Sequence, residues 1–153
     1  MPATTTSVVY STQVTHIGSG ASLAVGGVSV AADVSTALAG DGNLARYPRA
    51  DFALFIAPTA SIASTSTAIY LYRRDLNIDG TNDETVPGAS NKNKLTGLFI
   101  CAAATTVSTS HYLQAADVPL PGGDCEFYIE NGLGVNIPLG WTLKVTPKSD
   151  AFA

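Results

Sequence analysis

The chain has 153 residues, a net charge of −4 and 13% charged residues, about half the roughly 25% of an average globular domain. That length suits a single domain with a real core. Its eight basic residues are scattered, with Arg73-Arg74 and Lys92/Lys94 the close pairs, so nothing would track a phosphate backbone and nucleic-acid binding is not expected.

Residues 1–7 (MPATTTS) are Thr-rich and carry no apolar period. They read as a flexible N-terminal arm, disordered or ordering only on a neighbouring subunit, ahead of one β-sandwich domain over residues 8–153. The N-terminus lacks a basic segment followed by a continuous apolar run, so it is not a signal peptide. No apolar run approaches the roughly 20 residues needed to span a membrane. Folding in the cytosol is therefore expected.

Residues 8–17 alternate imperfectly and suggest a first strand. Residues 21–32 (ASLAVGGVSVAA) read as two short strands meeting in a hairpin at Gly26-Gly27. Residues 33–44 read as loop, broken by Gly40, Gly42 and Asn43. Residues 51–57 (DFALFIA) are a short apolar run, a well-buried strand stopped by Pro58. Residues 61–67 are small and polar, a turn or weak edge. Residues 68–73 alternate, with Ile69, Leu71 and Arg73 opposite Tyr70, Tyr72 and Arg74. The polar stretch 75–93, with Pro87-Gly88 inside it, must be a long surface loop.

Residues 95–101 resume strand character and lead into an Ala/Thr/Ser tract ending at Ser110. Residues 111–115 form another short strand, and residues 118–123 (VPLPGG) turn the chain towards its clearest pattern. In residues 123–147, Cys125, Phe127 and Ile129 alternate with Glu126, Tyr128 and Glu130; then Trp141, Leu143 and Val145 alternate with Thr142, Lys144 and Thr146. Each run is a strand with one buried and one wet face. The Gly/Asn/Pro-rich loop 131–140 should join them as neighbouring antiparallel strands, with Trp141 anchoring the core. Seven to nine short strands without a helical period make an all-β fold, a two-sheet antiparallel sandwich of jelly-roll or Greek-key type.

The sharpest motif is Asp75-Leu-Asn77-Ile-Asp79-Gly80-Thr81-Asn82-Asp83-Glu84. Oxygen ligands fall at its first, third, fifth and ninth positions and Gly at the sixth, as in an EF-hand or dockerin loop. A calcium loop must converge six or more oxygens, and its twelfth position should bring a bidentate Glu; here it is Val86, and no helix flanks it. The pattern points to a solvated loop held by Asx turns, with calcium the lesser reading.

Cys101 and Cys125 have no metal-ligand spacing and sit in apolar runs, as free buried thiols usually do; a disulfide between them stays open. His16 and His111 are too few and too separated to nominate a site, and a Cys101–His111 pair would need proximity that sequence does not show. No Gly-x-Ser-x-Gly, His-Glu-x-x-His or P-loop pattern occurs. Asp124, Glu126 and Glu130 are acidic, but Glu126 and Glu130 fall on a solvent-facing strand face, where solvation is expected rather than glycosidase chemistry. No catalytic, cofactor-binding or metal residue is nominated, and an enzyme is not expected. Tyr70, Tyr72 and Tyr128 project from strand faces as a sugar platform, a protein-contact patch, or packing beneath a loop.

Two stretches, YLYRRDLNIDGTND (residues 70–83) and PLPGGDCEFYIENGLGVNIPLGWTLKVTP (residues 119–147), resemble segments of small virion proteins of tailed bacteriophages, and the whole is similar to a capsid cement (decoration) protein. The resemblance covers somewhat over a quarter of the chain. It implies a jelly-roll or related β-sandwich that assembles in the host cytoplasm and binds the outside of the phage head as a dimer or trimer. There it would strap major capsid protein subunits together without a cofactor. It implies no catalytic residues. A phage tail or receptor-binding β-module is the nearest alternative, although coiled-coil heptads and β-helical repeats are absent. A carbohydrate-binding module is the rival from another class.

Overall fold

The computed structural model describes residues 6–38, 47–57, 67–92, 94–102 and 110–152. Eight strands are found among them: β1 (Thr6–Tyr10), β2 (Val14–Gly20), β3 (Arg49–Ile56), β4 (Thr67–Asp75), β5 (Leu95–Ile100), β6 (His111–Pro119), β7 (Cys125–Leu133) and β8 (Trp141–Phe152). All pairings are antiparallel. One sheet runs β1–β8–β3–β6, with β2 also on β8, and the other runs β5–β4–β7. The fold is therefore the expected all-β sandwich of two sheets. The strand order alone does not assign it to the jelly-roll or Greek-key type.

Alternation explains the layers. Ile17, Phe52, Leu54, Ile56, Leu143 and Val145 of the first sheet and Ile69, Leu71, Phe99, Phe127, Ile129 and Leu133 of the second are fully buried. Phe52 and Phe127 meet edge-on across the layers, ring centroids 4.6 Å apart. Trp141 is buried as expected, and its indole N–H donates to the Ala21 carbonyl at 2.7 Å. Its ring lies across Gly20 of β2, where a Cβ would sit 1.9 Å from it, so only glycine fits beneath the indole.

Three sequence expectations are corrected. β7 and β8 are not neighbours: β7 pairs β4 in the second sheet, while β8 pairs β1, β2 and β3 in the first. The connection crosses between layers, held by a Leu23–Ile137 bridge and by Asn131. Buried Asn131 donates from Nδ2 to the carbonyls of Leu23, Ala24 and Val135 and accepts from the Leu133 N–H. Residues 21–32 make no hairpin. Their turn does fall at Gly26 (φ +73°), closed by Gly27 N–H to Ala24 O at 2.9 Å, but the flanks bridge to Ile137 and Glu130 rather than to each other. The strand expected over residues 8–17 is two strands that run consecutively along one side of β8. Between the pairs Tyr10–Lys148 and Val14–Val145, β1/β2 advances four residues and β8 three, a bulge that breaks the alternation.

Thr6 and Ser7, assigned by sequence to the arm, pair with Phe152 and Ala151. Residues 1–5 lie outside the described residues, as do parts of the loop expected over 33–44, of the weak edge at 61–67 and of the tract ending at Ser110.

Among the described residues the outer side of β7 has no neighbouring strand, yet it is sealed. Cys125 exchanges both backbone bonds with Leu38, and Ile129 donates to Ser29 Oγ while accepting from the Ser29 N–H. Asn131 bonds Gly26 and Gly27. At Phe127 an imidazole takes the strand's place. His16 Nδ1 lies 2.7 Å from the Thr36 carbonyl and must donate there, which leaves Nε2 to accept the Phe127 N–H at 2.9 Å. That tautomer is neutral, and burial lowers the His16 pKa against the opposing pull of the Thr36 and Phe127 backbone and of Glu126.

Two tests follow from this core. Trp141→Ala should destabilise by about 3–5 kcal/mol in chemical denaturation, through lost burial and a cavity; a variant as stable as the parent would place the ring outside the core. His16 binds a proton less readily folded than unfolded, so its contribution is full above about pH 6.5 and is lost as pH falls below that value. Denaturation curves from pH 7.5 to 5 should show falling stability that His16→Gln flattens.

Candidate interaction surfaces

The loop between β4 and β5 folds back on the outer face of the second sheet. Asp75 and Glu84 close its first part, with Glu84 N–H donating to Asp75 O at 3.0 Å and Asp75 N–H to Glu84 Oε2 at 2.9 Å. The oxygens nominated for calcium are turned onto internal donors. Asp79 accepts from the Asn82 side chain and backbone and from Thr81, which holds its carboxyl down at about 2. Asp83 accepts from Asn77 N–H and Arg74, and Asp75 faces Lys94 and Arg73. Asn77 (φ +51°) and Gly80 (φ +89°) supply the left-handed turns. This is the Asx-turn loop that the sequence favoured. Among the described residues no group of three His, Cys, Asp or Glu is placed to hold a metal.

The loop is clasped by ions. Lys94 Nζ lies 2.6 Å from both Asp75 and Glu84 carboxylates, and the two raise its pKa. Arg74 reaches Glu126 at 2.9 Å, Asp83 at 3.3 Å and the Glu84 carbonyl at 2.6 Å. Arg73 Nε is 2.8 Å from Asp75 Oδ1, close enough to pair but not aligned as a hydrogen bond. Arg73, Glu84, Thr85, Pro87, Asn91 and Lys94 line a polar cleft of about 250 Å³ whose two cations and one lining carboxylate, with Asp75 beside them, neutralise one another.

Beneath the clasp lie residues that the sequence placed in solvent, and here the structure corrects it. Tyr72, Tyr128 and Glu130 are buried, and Tyr70 and Glu126 half-buried. Tyr72 donates to Glu130 at 2.8 Å, and Glu130 also pairs with Lys92 of the loop; Tyr128 donates to Glu126. Burial and then the Glu130 carboxylate push the Tyr72 hydroxyl up to about 12. Tyr70 lies over Gly132, where a Cβ would come within 2.6 Å of its ring. Of the three tyrosine readings, packing beneath a loop is the one found.

Cys101 and Cys125 are separate buried thiols rather than a disulfide. Burial raises both, Cys125 to about 12, the opposite of an activated nucleophile. His16 is spent on the β7 edge, and His111 opens β6 opposite Ile56.

Sequence reasoning missed a charged cluster at one end of the first sheet. A bulge in β6 puts Asp117 in the left-handed region (φ +57°), where its N–H donates to Asp51 Oδ1 at 2.9 Å. Buried Lys148 lies 2.6 Å from Asp51 and 2.9 Å from Asp117, while Arg49 pairs with Asp117 and Asp150. Burial alone would lower the Lys148 pKa, but the two carboxylates outweigh it and the net shift is upward. No sequence spacing signals this, because the partners come from β3, β6 and β8.

Among the polar residues that stay exposed stand several large apolar ones. β1 shows Val8 (45%), Val9 (42%) and Tyr10 (57%), and β5 shows Leu95, Leu98 and Ile100, the last two sharing the face away from buried Phe99. Tyr112 stands out from β6 beside Phe55, and Leu139 from the crossover loop. Neither a comparison with protein-family models nor one with curated proteins finds a match for this chain.

The clasp needs no metal, since its carboxylates already have cationic or N–H partners. The melting temperature should be unchanged by EDTA. A fall of several degrees on chelation, reversed by calcium, would overturn the Asx-turn account of residues 75–84.

Proposed function

We propose that this protein is a structural virion component, a cement protein that binds the outer surface of a tailed-phage head and holds neighbouring major capsid protein subunits together. It acts as a homo-oligomer, without enzymatic activity or cofactor. The observation that carries the reading is the kind of surface left free. Six of the eight basic residues are spent on internal ion pairs, while aliphatic side chains stand exposed along β1 and β5. A surface with few free charges and rows of exposed aliphatics suits lasting contact with other protein.

The phage element comes from the resemblance of residues 70–83 and 119–147. Two of their strands belong together: β4 and β7 pair along their whole length, joined across by Arg74–Glu126 and Tyr72–Glu130. The start of β8, also within residues 119–147, lies in the other sheet. The carbohydrate-binding alternative loses its main feature, because Tyr72 and Tyr128 are buried. A tail or receptor-binding module shares the surface, and the test must separate it.

Purified protein should bind expanded shells built from the coat protein, and filled shells should resist heat and osmotic shock better than bare ones. Leu98→Asp with Ile100→Asp, both outward-facing, should weaken binding at least about tenfold while the melting temperature holds. Because free charges are few, binding should change little between low and physiological salt. Protein that ignores shells, or that immunogold labelling places on tails, would sink the reading.

A further inference from the structure

The edges of the two sheets are treated unequally. The outer side of β7 is sealed residue by residue, as described above. β2 is covered by residues 35 and 36, which donate to the His16 carbonyl, and by Ser35 Oγ, which accepts the Gly18 N–H. β6 is blunted by its bulge, by the charge of Asp117 and by Pro119. Among the described residues the outer sides of β1 and β5 carry no such device, and β1 is the edge whose hydrogen-bond phase is fixed at its end. It is uncharged from Thr6 to Ser11, and no described residue covers its outer side.

The hydrogen-bond phase of that edge can be read from its end. Ser11 N–H donates to Pro147 O at 2.8 Å, so the pairs bonded to β8 are 11–147 and, by alternation, 9–149 and 7–151. The N–H and C=O groups of Thr6, Val8 and Tyr10 therefore point outward. An antiparallel partner whose own outward groups fall at the same spacing would satisfy all of them. A second copy of β1 does so about a two-fold axis at Val8: Val8 faces Val8 of the other copy, and Thr6 faces its Tyr10.

We propose that β1 is a self-pairing edge through which two copies join by antiparallel β1–β1 addition centred on Val8, making one sheet continuous across the dimer. An isologous contact places each group opposite its own kind, so any charge along this edge would meet its like, and there is none. Pairing also covers Val8, Val9 and Tyr10, which lie on both faces of the strand and which a single copy leaves in water. A five-residue strand offers a short interface, so the dimer should be weak and concentration-dependent, in roughly the micromolar range. The inference gives the homo-oligomer of the virion reading a surface, but it rests on the edge alone and concerns the free protein in solution.

Sedimentation equilibrium of the full chain should show monomer passing to dimer as concentration rises. Val8→Pro removes the central outward N–H, which β8 does not use, so it should weaken dimerisation at least about tenfold and leave the dilute protein folded by circular dichroism. A Val8→Cys variant should form a covalent dimer under mild oxidation, because the two-fold brings that position against itself. Val9→Cys, which would face Ser7 of the other copy, should cross-link far less. The proposal falls if the parent stays monomeric at every concentration, or if Val9→Cys links as readily as Val8→Cys. It also falls if a folded Val8→Pro dimerises like the parent. A parent that is monomeric alone but loses shell binding on Val8→Pro would assign the edge to the coat instead. If Val8→Pro unfolds, the cysteine pair alone decides.

Discussion

The structure depends on how the outer side of β7 is closed. This strand lies at the centre of burial, with one side chain row in the core and the other beneath the loop, yet no strand among the described residues covers its outer backbone. Buried N–H and C=O groups left unpaired would cost about 1–3 kcal/mol each. The chain answers with an irregular segment, residues 26–38, and with the His16 ring reaching over from β2. That solution sets much else. It draws residues 21–38 around the sandwich edge and ties β2 to the opposite sheet. It also fixes the imidazole in one neutral tautomer.

Closing that edge explains the sequence's oddities. Residues 21–32 look like a hairpin because they are apolar and turn at Gly26-Gly27, but what they serve is the backbone of β7 and of the crossover loop. A segment that must match another strand's backbone groups one at a time does not need regular pairing of its own. Asp33 fixes the 3₁₀ turn Ala31–Asp33 in the same spirit, its carboxylate accepting the Ala21 and Val30 N–H groups at 2.8 and 3.0 Å.

Period-two alternation made β4, β7 and β8 legible in the sequence, along with the burial of Trp141, because a strand facing a core records that face in its residues, while β3 showed as a short apolar run stopped by Pro58. It did not record which sheet each strand joins. The loop 131–140 is too long to force a hairpin, and buried Asn131 anchors it to residues 23 and 24 instead. Nor could alternation reveal that β7 is buried on both faces. Glu126, Tyr128 and Glu130 look like a wet face, and they are polar because Arg74, Lys92 and Tyr72 meet them there. The Asx character of residues 75–84 was readable, since Asp, Asn and Gly at those spacings bond their own backbone. The cluster around Lys148 was not, because its members are brought together only by the sheet.

Low charge takes on a sharper meaning once the pairs are placed. An acidic chain with scattered cations would ordinarily present a mixed surface that repels its own copies and steers partners at a distance. Here the clasp and the Lys148 cluster absorb six of eight cations together with most of the carboxylates that face them. Pairing leaves the net charge of −4 in place but few cations free to steer a partner. The remaining means of recognition are exposed aliphatic side chains and the unpaired backbone of the open edges, β1 among them, both effective only at contact. Of these, backbone pairing is the more selective, because a slip of one residue would set the outward groups of Val8 opposite a residue whose own groups point inward to its β8. The bulge between β1 and β2 contributes here. By interrupting the ladder at residues 11–13, it confines the open edge to the few residues of β1, while β2, on the far side of the bulge, is covered by residues 35 and 36. The open edge is thereby too short to template a growing fibre along both sheets, and long enough to fix one partner in one register.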